Sequence, residues 1–325
     1  MNTSQVQEAT LAGIQAARPR VQPYVYRTPL NANQTLSQRF GCHVFLKQEL
    51  FQRTGSFKVR GAFNKILSHG ADHCGPGVVA MSGGNHAQAV AYAGGHLGIP
   101  TTIIMPSNTP ANYVDATRAY GAQLILTPTI AEAFTVADEY AARGWLLVHP
   151  FDDPAVIEGQ GGVGLEILED CPGVTDIIVS IGGGGLMAGL GLAVKTLKPS
   201  VRIWGVETEG ADAMARAVAA GHPIAMPGIT SIARTLGAPI VSQRTLNAAQ
   251  QYLESVTVVP DREAVEGIRF FLERAKLLTE PAAACTLAAA ERLRNCFLPR
   301  SQVVLVLCGG NLGMSELREF LTRRW

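Results

Sequence analysis

The 325-residue chain has almost no charge imbalance, with 27 basic residues against 26 acidic ones and a formal net charge of +1. It carries no basic stripe and no acidic tail, which argues against nucleic acid as a partner. Its six cysteines, Cys42, Cys74, Cys171, Cys285, Cys296 and Cys308, include no C-x-x-C pair. That scatter speaks against a zinc site or a disulfide framework and fits a reducing compartment, so a cytoplasmic location is expected. The opening residues Met1-Asn2-Thr3-Ser4-Gln5 are polar and lack the apolar stretch of a signal peptide. One uncharged run, Ile177 to Val194, reaches the length of a membrane span. Six of its residues are glycine, four of them consecutive, so it breaks into strand, loop and helix and no membrane partner is expected. Internal repeats and low-complexity linkers are also missing.

What is present points to a folded α/β protein. Hydrophobic residues make up 47% of the chain, enough for sizeable cores and a subunit interface, so a homodimer or homotetramer is expected. The length exceeds a typical single domain, which suggests two lobes sharing one cleft. Short Val- and Ile-rich runs recur at Val44-Leu46, Gly77-Met81, Thr102-Met105, Leu124-Leu126, Trp145-Val148, Asp176-Ile181, Arg202-Val206 and Val303-Leu307. They lack strict alternation, as strands covered on both faces do. Between them, Ala87-Leu97, Ala111-Tyr120 and Ala131-Ala142 have helical length and apolar spacing, and Gly98, Gly121 and Gly144 follow as terminators. Strand–helix alternation of this kind predicts parallel sheets with right-handed crossovers.

Three distant segments carry chemistry. Thr54-Gly55-Ser56-Phe57-Lys58-Val59-Arg60-Gly61 places a lysine between two apolar residues just after a turn. An isolated lysine of this kind is ordinarily a solvated side chain. Ser82-Gly83-Gly84-Asn85-His86 combines accessible amides, a carboxamide and the start of a helix, although a tight turn with a helix cap has the same composition. Gly182-Gly183-Gly184-Gly185-Leu186 follows a strand and opens a helix, an arrangement that receives phosphate on backbone amides. The last segment alone also matches a dinucleotide fingerprint, Gly183-x-Gly185-x-x-Ala188, with Glu207 as the acid near the end of the next strand. A nicotinamide enzyme, however, needs neither the lysine nor the asparagine segment. A lysine amine, a phosphate cradle and an asparagine loop are the parts that hold pyridoxal 5′-phosphate (PLP) as a Schiff base.

Together the three segments resemble the fold-type-II PLP enzymes, specifically the serine/threonine dehydratases and their serine racemase relatives. The resemblance implies a tryptophan synthase β-like fold, two open parallel-sheet lobes with the cofactor between them. It implies a small inserted lobe over 77–150 and a large PLP-binding lobe from 1–76 plus 151–325. The chain stops soon after its last strand-like run, so the regulatory domain of long threonine deaminases is not expected. Lys58 would be the Schiff-base lysine and the base at the substrate α-carbon, and Phe57 would pack beside the ring or in the core. Gly182, Gly183, Gly184, Gly185 and Leu186 would hold the phosphate. Asn85 would meet the phenolic oxygen of the ring, Cys308 the pyridine nitrogen, and Glu280 the distal edge of the ring. Ser82, Gly83, Gly84, Asn85 and His86 would receive the substrate carboxylate. Serine racemase has a second serine where Gly83 stands, so dehydration is expected over racemisation, with extra room for a larger β-substituent. A divalent-ion site through Glu207 and Ala211 would lack a carboxylate, because position 213 is alanine. Relatives often have aspartate where Arg234 stands. The implied activity is dehydration of an L-3-hydroxyamino acid, threonine, serine or 3-phenylserine, to a 2-oxo acid and ammonia. A β-replacement synthase, a 3-hydroxyaspartate dehydratase and, remotely, a Rossmann oxidoreductase are the alternatives.

Overall fold

A computed structural model describes residues 8–325. Its strands are β1 (Leu30–Ala32), β2 (His43–Gln48), β3 (Val78–Met81), β4 (Thr101–Pro106), β5 (Gln123–Thr127), β6 (Leu146–Leu147), β7 (Asp176–Ser180), β8 (Arg202–Thr208), β9 (Ser255–Val259) and β10 (Gln302–Leu307). They form a six-stranded sheet in the order β1-β2-β10-β7-β8-β9 and a four-stranded sheet in the order β5-β4-β3-β6. Every pairing is parallel except β1 with β2. The central strands β3, β7 and β10 are buried along almost their whole length, which is why their sequences are continuous apolar runs. No helix among the described residues is long and apolar enough to cross a membrane.

The strands of the smaller sheet all lie between Val78 and Leu147, but its core reaches beyond that span. Val59, Phe63 and Ile66 of the helix Lys58–His69 pack with Val78, Ala80 and Ile103. This helix is also held by backbone proximity to the long helix Pro154–Asp170. A Cβ on Gly159 would come within 2.6 Å of the Arg60 carbonyl oxygen, and one on Gly61 within 2.8 Å of the Val156 carbonyl oxygen. Only glycine allows two helices to approach so closely. Asp153 caps the long helix, its Oδ1 accepting from Ala155 N at 2.8 Å, and Pro154 sits at the first helical position.

A buried ionic network locks the same junction. The Arg60 guanidinium donates to both oxygens of Glu49 and both of Glu166 at 2.8–2.9 Å. Lys47 donates to Glu166 Oε2 at 2.5 Å and to the Thr28 carbonyl oxygen at 2.7 Å. Two cations and two carboxylates therefore balance out of contact with water.

Candidate active site

The ends of β3, β7 and β10 and the start of the Lys58 helix converge on one cleft. Parallel sheets place their carboxyl-end loops together, which is where ligands bind in open α/β folds. An antiparallel bridge between Ser56 and Gly309 and a bond from Phe57 N to the Cys308 carbonyl oxygen (3.2 Å) fasten the lysine turn to the end of β10. Lys58 Nζ donates to the Pro150 carbonyl oxygen at 2.7 Å. Part of its side chain remains accessible, yet desolvation of the amine pulls its pKa down to about 8, against the opposing pull of Cys308 and Glu280. Phe57 is half-buried, its ring centroid 5.3 Å from Lys58 Nζ, and packs against the core of the larger sheet.

On the facing side, Ser82 Oγ accepts from Gly84 N at 3.0 Å, which shapes the turn before the helix Asn85–Leu97. Asn85 Nδ2 donates to Glu280 at 2.8 and 3.0 Å, and Asn85 Oδ1 accepts from Asn311 Nδ2 at 2.8 Å. Glu280 also accepts from Thr235 Oγ1 at 3.0 Å, and burial raises its carboxyl to about 7. His86 is buried behind this loop, its Nε2 bonded to the Val148 carbonyl oxygen at 2.8 Å. Burial and the nearby Lys58 lower it to about 3, so the ring is neutral and the Nε2 nitrogen is the donor. The extra room expected at Gly83 is already partly taken. A Cβ there would stand 2.7 Å from Thr109 Oγ1, so the missing side chain makes space for a threonine hydroxyl as well as for substrate.

The glycine loop closes the other end. Gly184 has φ 93°, a left-handed conformation that glycine adopts without strain, and it starts the helix Gly185–Leu197 without a capping side chain. The first-turn amides of this helix, Leu186 among them, have no capping side chain. A Cβ on Gly182 would come within 3.0 Å of the Leu236 backbone, one on Gly185 would come within 3.0 Å of Phe151 Cα, and one on Gly183 would run into the Phe151 ring. Cys308 directly follows β10 with its thiol buried; Ser180 Oγ, at the end of neighbouring β7, donates to Cys308 Sγ at 3.3 Å. Burial pushes the Cys308 thiol far above its usual range, so it is neutral.

These residues fit pyridoxal phosphate on their own features. The hydroxyls of Thr54, Ser56 and Thr279 and the Nδ1 of His86 are buried without hydrogen-bond partners beside the lysine turn and the asparagine loop. Buried polar atoms of this kind normally find a partner, and a polar cofactor supplies one. An uncapped helix start can receive a phosphate, and an amine with a pKa of about 8 can be neutral when it attacks a carbonyl.

The dinucleotide assignment loses its acid. Glu207 accepts from Met214 N (2.9 Å) and Ala215 N (2.7 Å), capping the helix Ala213–Ala220, and burial raises its carboxyl to about 8. Neighbouring Asp212 pairs with Arg216 at 2.9 Å, and no cluster of three metal-ligating side chains occurs among the described residues. Four cleft residues escaped the sequence reading: Asn311, Thr235, Ser180 and Thr109. A signal for the first was present, because Gly309-Gly310-Asn311 repeats the pattern Gly83-Gly84-Asn85, and each asparagine follows a central strand. The other three are single hydroxyl residues without a pattern around them.

The sequence profile described as "Pyridoxal-phosphate dependent enzyme" matches residues 21–309. The chain is similar to the L-threonine ammonia-lyase of Thermotoga maritima, at 38% identity over 319 residues, 97% of this chain and 78% of that protein. It is also similar to the serine racemase of Oryza sativa subsp. indica, at 37% identity over 322 residues, 97% of this chain and 95% of that one. The solved structure of maize serine racemase superposes with a TM-score of 0.91 at 34% identity, covering 97% of each chain. The chain accordingly belongs to the fold-type-II PLP enzymes, in the serine/threonine dehydratase and serine racemase family, and its cofactor is PLP.

Proposed function

We propose that the protein is a dehydratase (ammonia-lyase) that converts an L-3-hydroxyamino acid, threonine or serine in the simplest case, to a 2-oxo acid and ammonia. When bound, PLP supplies an electrophilic carbonyl for the substrate amine and a sink for the electron pair left at the α-carbon. Lys58 would be the point of attachment, the Gly182–Gly185 amides with Leu186 would hold the phosphate, and Asn85 and Cys308 would serve the ring hydroxyl and the ring nitrogen. The turn from Ser82 to His86 orients the substrate carboxylate.

Lys58 then acts as the base that takes the α-proton. With its pKa near 8, roughly a tenth of the amine is neutral at pH 7, a far larger share than an ordinary lysine offers. The α-proton and the β-hydroxyl leave as water, and a second water releases ammonia from the resulting enamine. Cys308 supports this outcome. Its neutral thiol cannot hold the ring nitrogen firmly protonated as a carboxylate would, which disfavours transamination and suits a reaction whose leaving group carries the electrons away. Gly83 offers no hydroxyl to the opposite face, and the adjacent Thr109 Oγ1 is committed to the Pro106 carbonyl oxygen at 2.6 Å. Neither residue therefore offers a free proton donor to the opposite face, and racemisation is slow. The observation that carries the reading is a desolvated lysine amine at the meeting point of the glycine loop, the asparagine loop and a neutral thiol.

The test is product analysis. PLP-loaded protein given L-threonine or L-serine forms 2-oxo acid and ammonia in equal amounts, with D-serine formed far more slowly than pyruvate. Cysteine formed from O-acetylserine and sulfide, with no 2-oxo acid from any 3-hydroxyamino acid, would assign a β-replacement synthase instead.

A further inference from the structure

The residues Ser231 to Leu236 bridge the two loops described above. The Leu236 backbone stands 3.0 Å from where a Gly182 Cβ would be, and the Thr235 methyl 3.2 Å from where a Gly84 Cβ would be. The bridge is pinned from below. Ser231 Oγ donates to Asp261 Oδ1 at 2.6 Å, Ile232 N to Asp261 Oδ2 at 3.0 Å, and Ala233 N to Ser231 Oγ at 3.0 Å. Arg234 thus projects from a fixed backbone at the mouth of the site. It lines a small cleft, partly open to solvent, together with Gly83, Tyr113, Thr235, Glu280 and Asn311.

The other charged or hydroxyl-bearing side chains lining this cleft each have at least one partner among the described residues. Glu280 accepts from Asn85 and Thr235, Tyr113 donates its hydroxyl to the Asn311 carbonyl oxygen, and Glu316 accepts from Gly313 N at 3.4 Å. The Arg234 guanidinium makes no ion pair or hydrogen bond with any described residue, and it is the one cation among the described lining residues. A planar fork of donors beside the carboxylate loop matches a second carboxylate on the same molecule, because it can bond both oxygens at once.

We propose that Arg234 is a specificity-determining residue that reads an acidic β-substituent, so that the preferred substrate class is a 3-hydroxyamino acid with a second carboxylate, such as L-threo-3-hydroxyaspartate. This inference rests on the dehydratase reading and narrows it. Arg234 is exposed, so its contribution is that of a partly solvated charge-assisted bond, about tenfold in specificity rather than thousands.

Two measurements on the PLP-loaded protein test it. In the first, kcat/KM is compared for L-threo-3-hydroxyaspartate, L-threonine and L-serine in wild type, Arg234→Gln and Arg234→Lys. The wild type favours the dicarboxylate, Arg234→Gln lowers that preference about tenfold, chiefly through KM, and Arg234→Lys restores part of it. In the second, calorimetry compares succinate with butyrate, neither of which can react; wild type binds succinate more tightly, and Arg234→Gln removes the difference. If threonine and serine are turned over and the dicarboxylate preference is absent or unchanged by Arg234→Gln, the inference fails while the dehydratase reading stands. Turnover of none of the three substrates would overturn both.

Discussion

Removing Arg60 should be among the most damaging single substitutions in the protein, although Arg60 touches no substrate. The side chain is 2% exposed and its guanidinium supplies four bonds to Glu49 and Glu166. In Arg60→Met, two buried carboxylates are left with Lys47 as their only cationic partner. Breaking a buried ion pair by deleting one partner costs about 3–5 kcal/mol, a large share of a typical stability of roughly 5–15 kcal/mol. At about 2–4 °C per kcal/mol for larger domains, the midpoint of thermal unfolding should fall on the order of 10 °C. The loss also depends on pH. Burial alone would raise the Glu49 carboxyl, but Arg60, with help from Lys47 and Thr28, holds it below its ordinary value. A carboxyl depressed in the folded state stabilises above its unfolded pKa, near 4, and loses that contribution as pH falls. Without Arg60, burial prevails and the folded pKa rises, so the variant's deficit grows as pH rises above 4. Thermal unfolding of wild type and Arg60→Met at pH 5 and pH 8 should therefore show the larger gap at pH 8. Arg60→Lys keeps the charge without the two-pronged geometry and should fall between them. A variant within 1 °C of wild type at pH 8, or a gap that shrinks as pH rises, would refute this account of the network.

Three further outcomes follow from the cleft. Because burial sets the Lys58 amine near 8 and only the neutral amine attacks a carbonyl, the rate of PLP uptake by apo-protein should rise about tenfold per pH unit below 8 and level off above it, followed by visible absorbance. Gly183→Ala drives a methyl into the Phe151 ring, so equilibrium titration should show PLP affinity weakened about tenfold or more, alongside a loss of stability of about 1–3 kcal/mol. Gly83→Ser alone must displace the Thr109 hydroxyl; paired with Thr109→Ala it should raise D-serine formation above wild type, measured by chiral chromatography, and the single change should raise it less.

Much of the framework was readable from apolar runs. The eight expected strand segments each fall on a strand, because buried parallel strands need continuous Val and Ile. The strands left unassigned, β1 and β9, are the edges of the larger sheet; β1 has three residues and β9 is mostly half-exposed, so neither carries a strong apolar signal. Lys58, Asn85, Cys308, Glu280 and the glycine loop stood out because each sits in a short, unusual segment, and the structure brings the first four close together. Thr109 and Ser180 were not, since a lone hydroxyl gains meaning only from what the fold places beside it. The ionic network was hidden for a related reason: Lys47, Glu49, Arg60 and Glu166 look like surface charges until the fold buries them together.

The central claim is that the amine of Lys58 holds the cofactor and serves the reaction. The direct measurement is borohydride reduction of the PLP-loaded protein, followed by proteolysis and mass spectrometry of the labelled peptide. The account predicts one pyridoxyl group per chain, on Lys58, with loss of activity on reduction and neither label nor activity in Lys58→Ala. A label on another lysine such as Lys47 or Lys65, or full 2-oxo acid formation by Lys58→Ala, would contradict it.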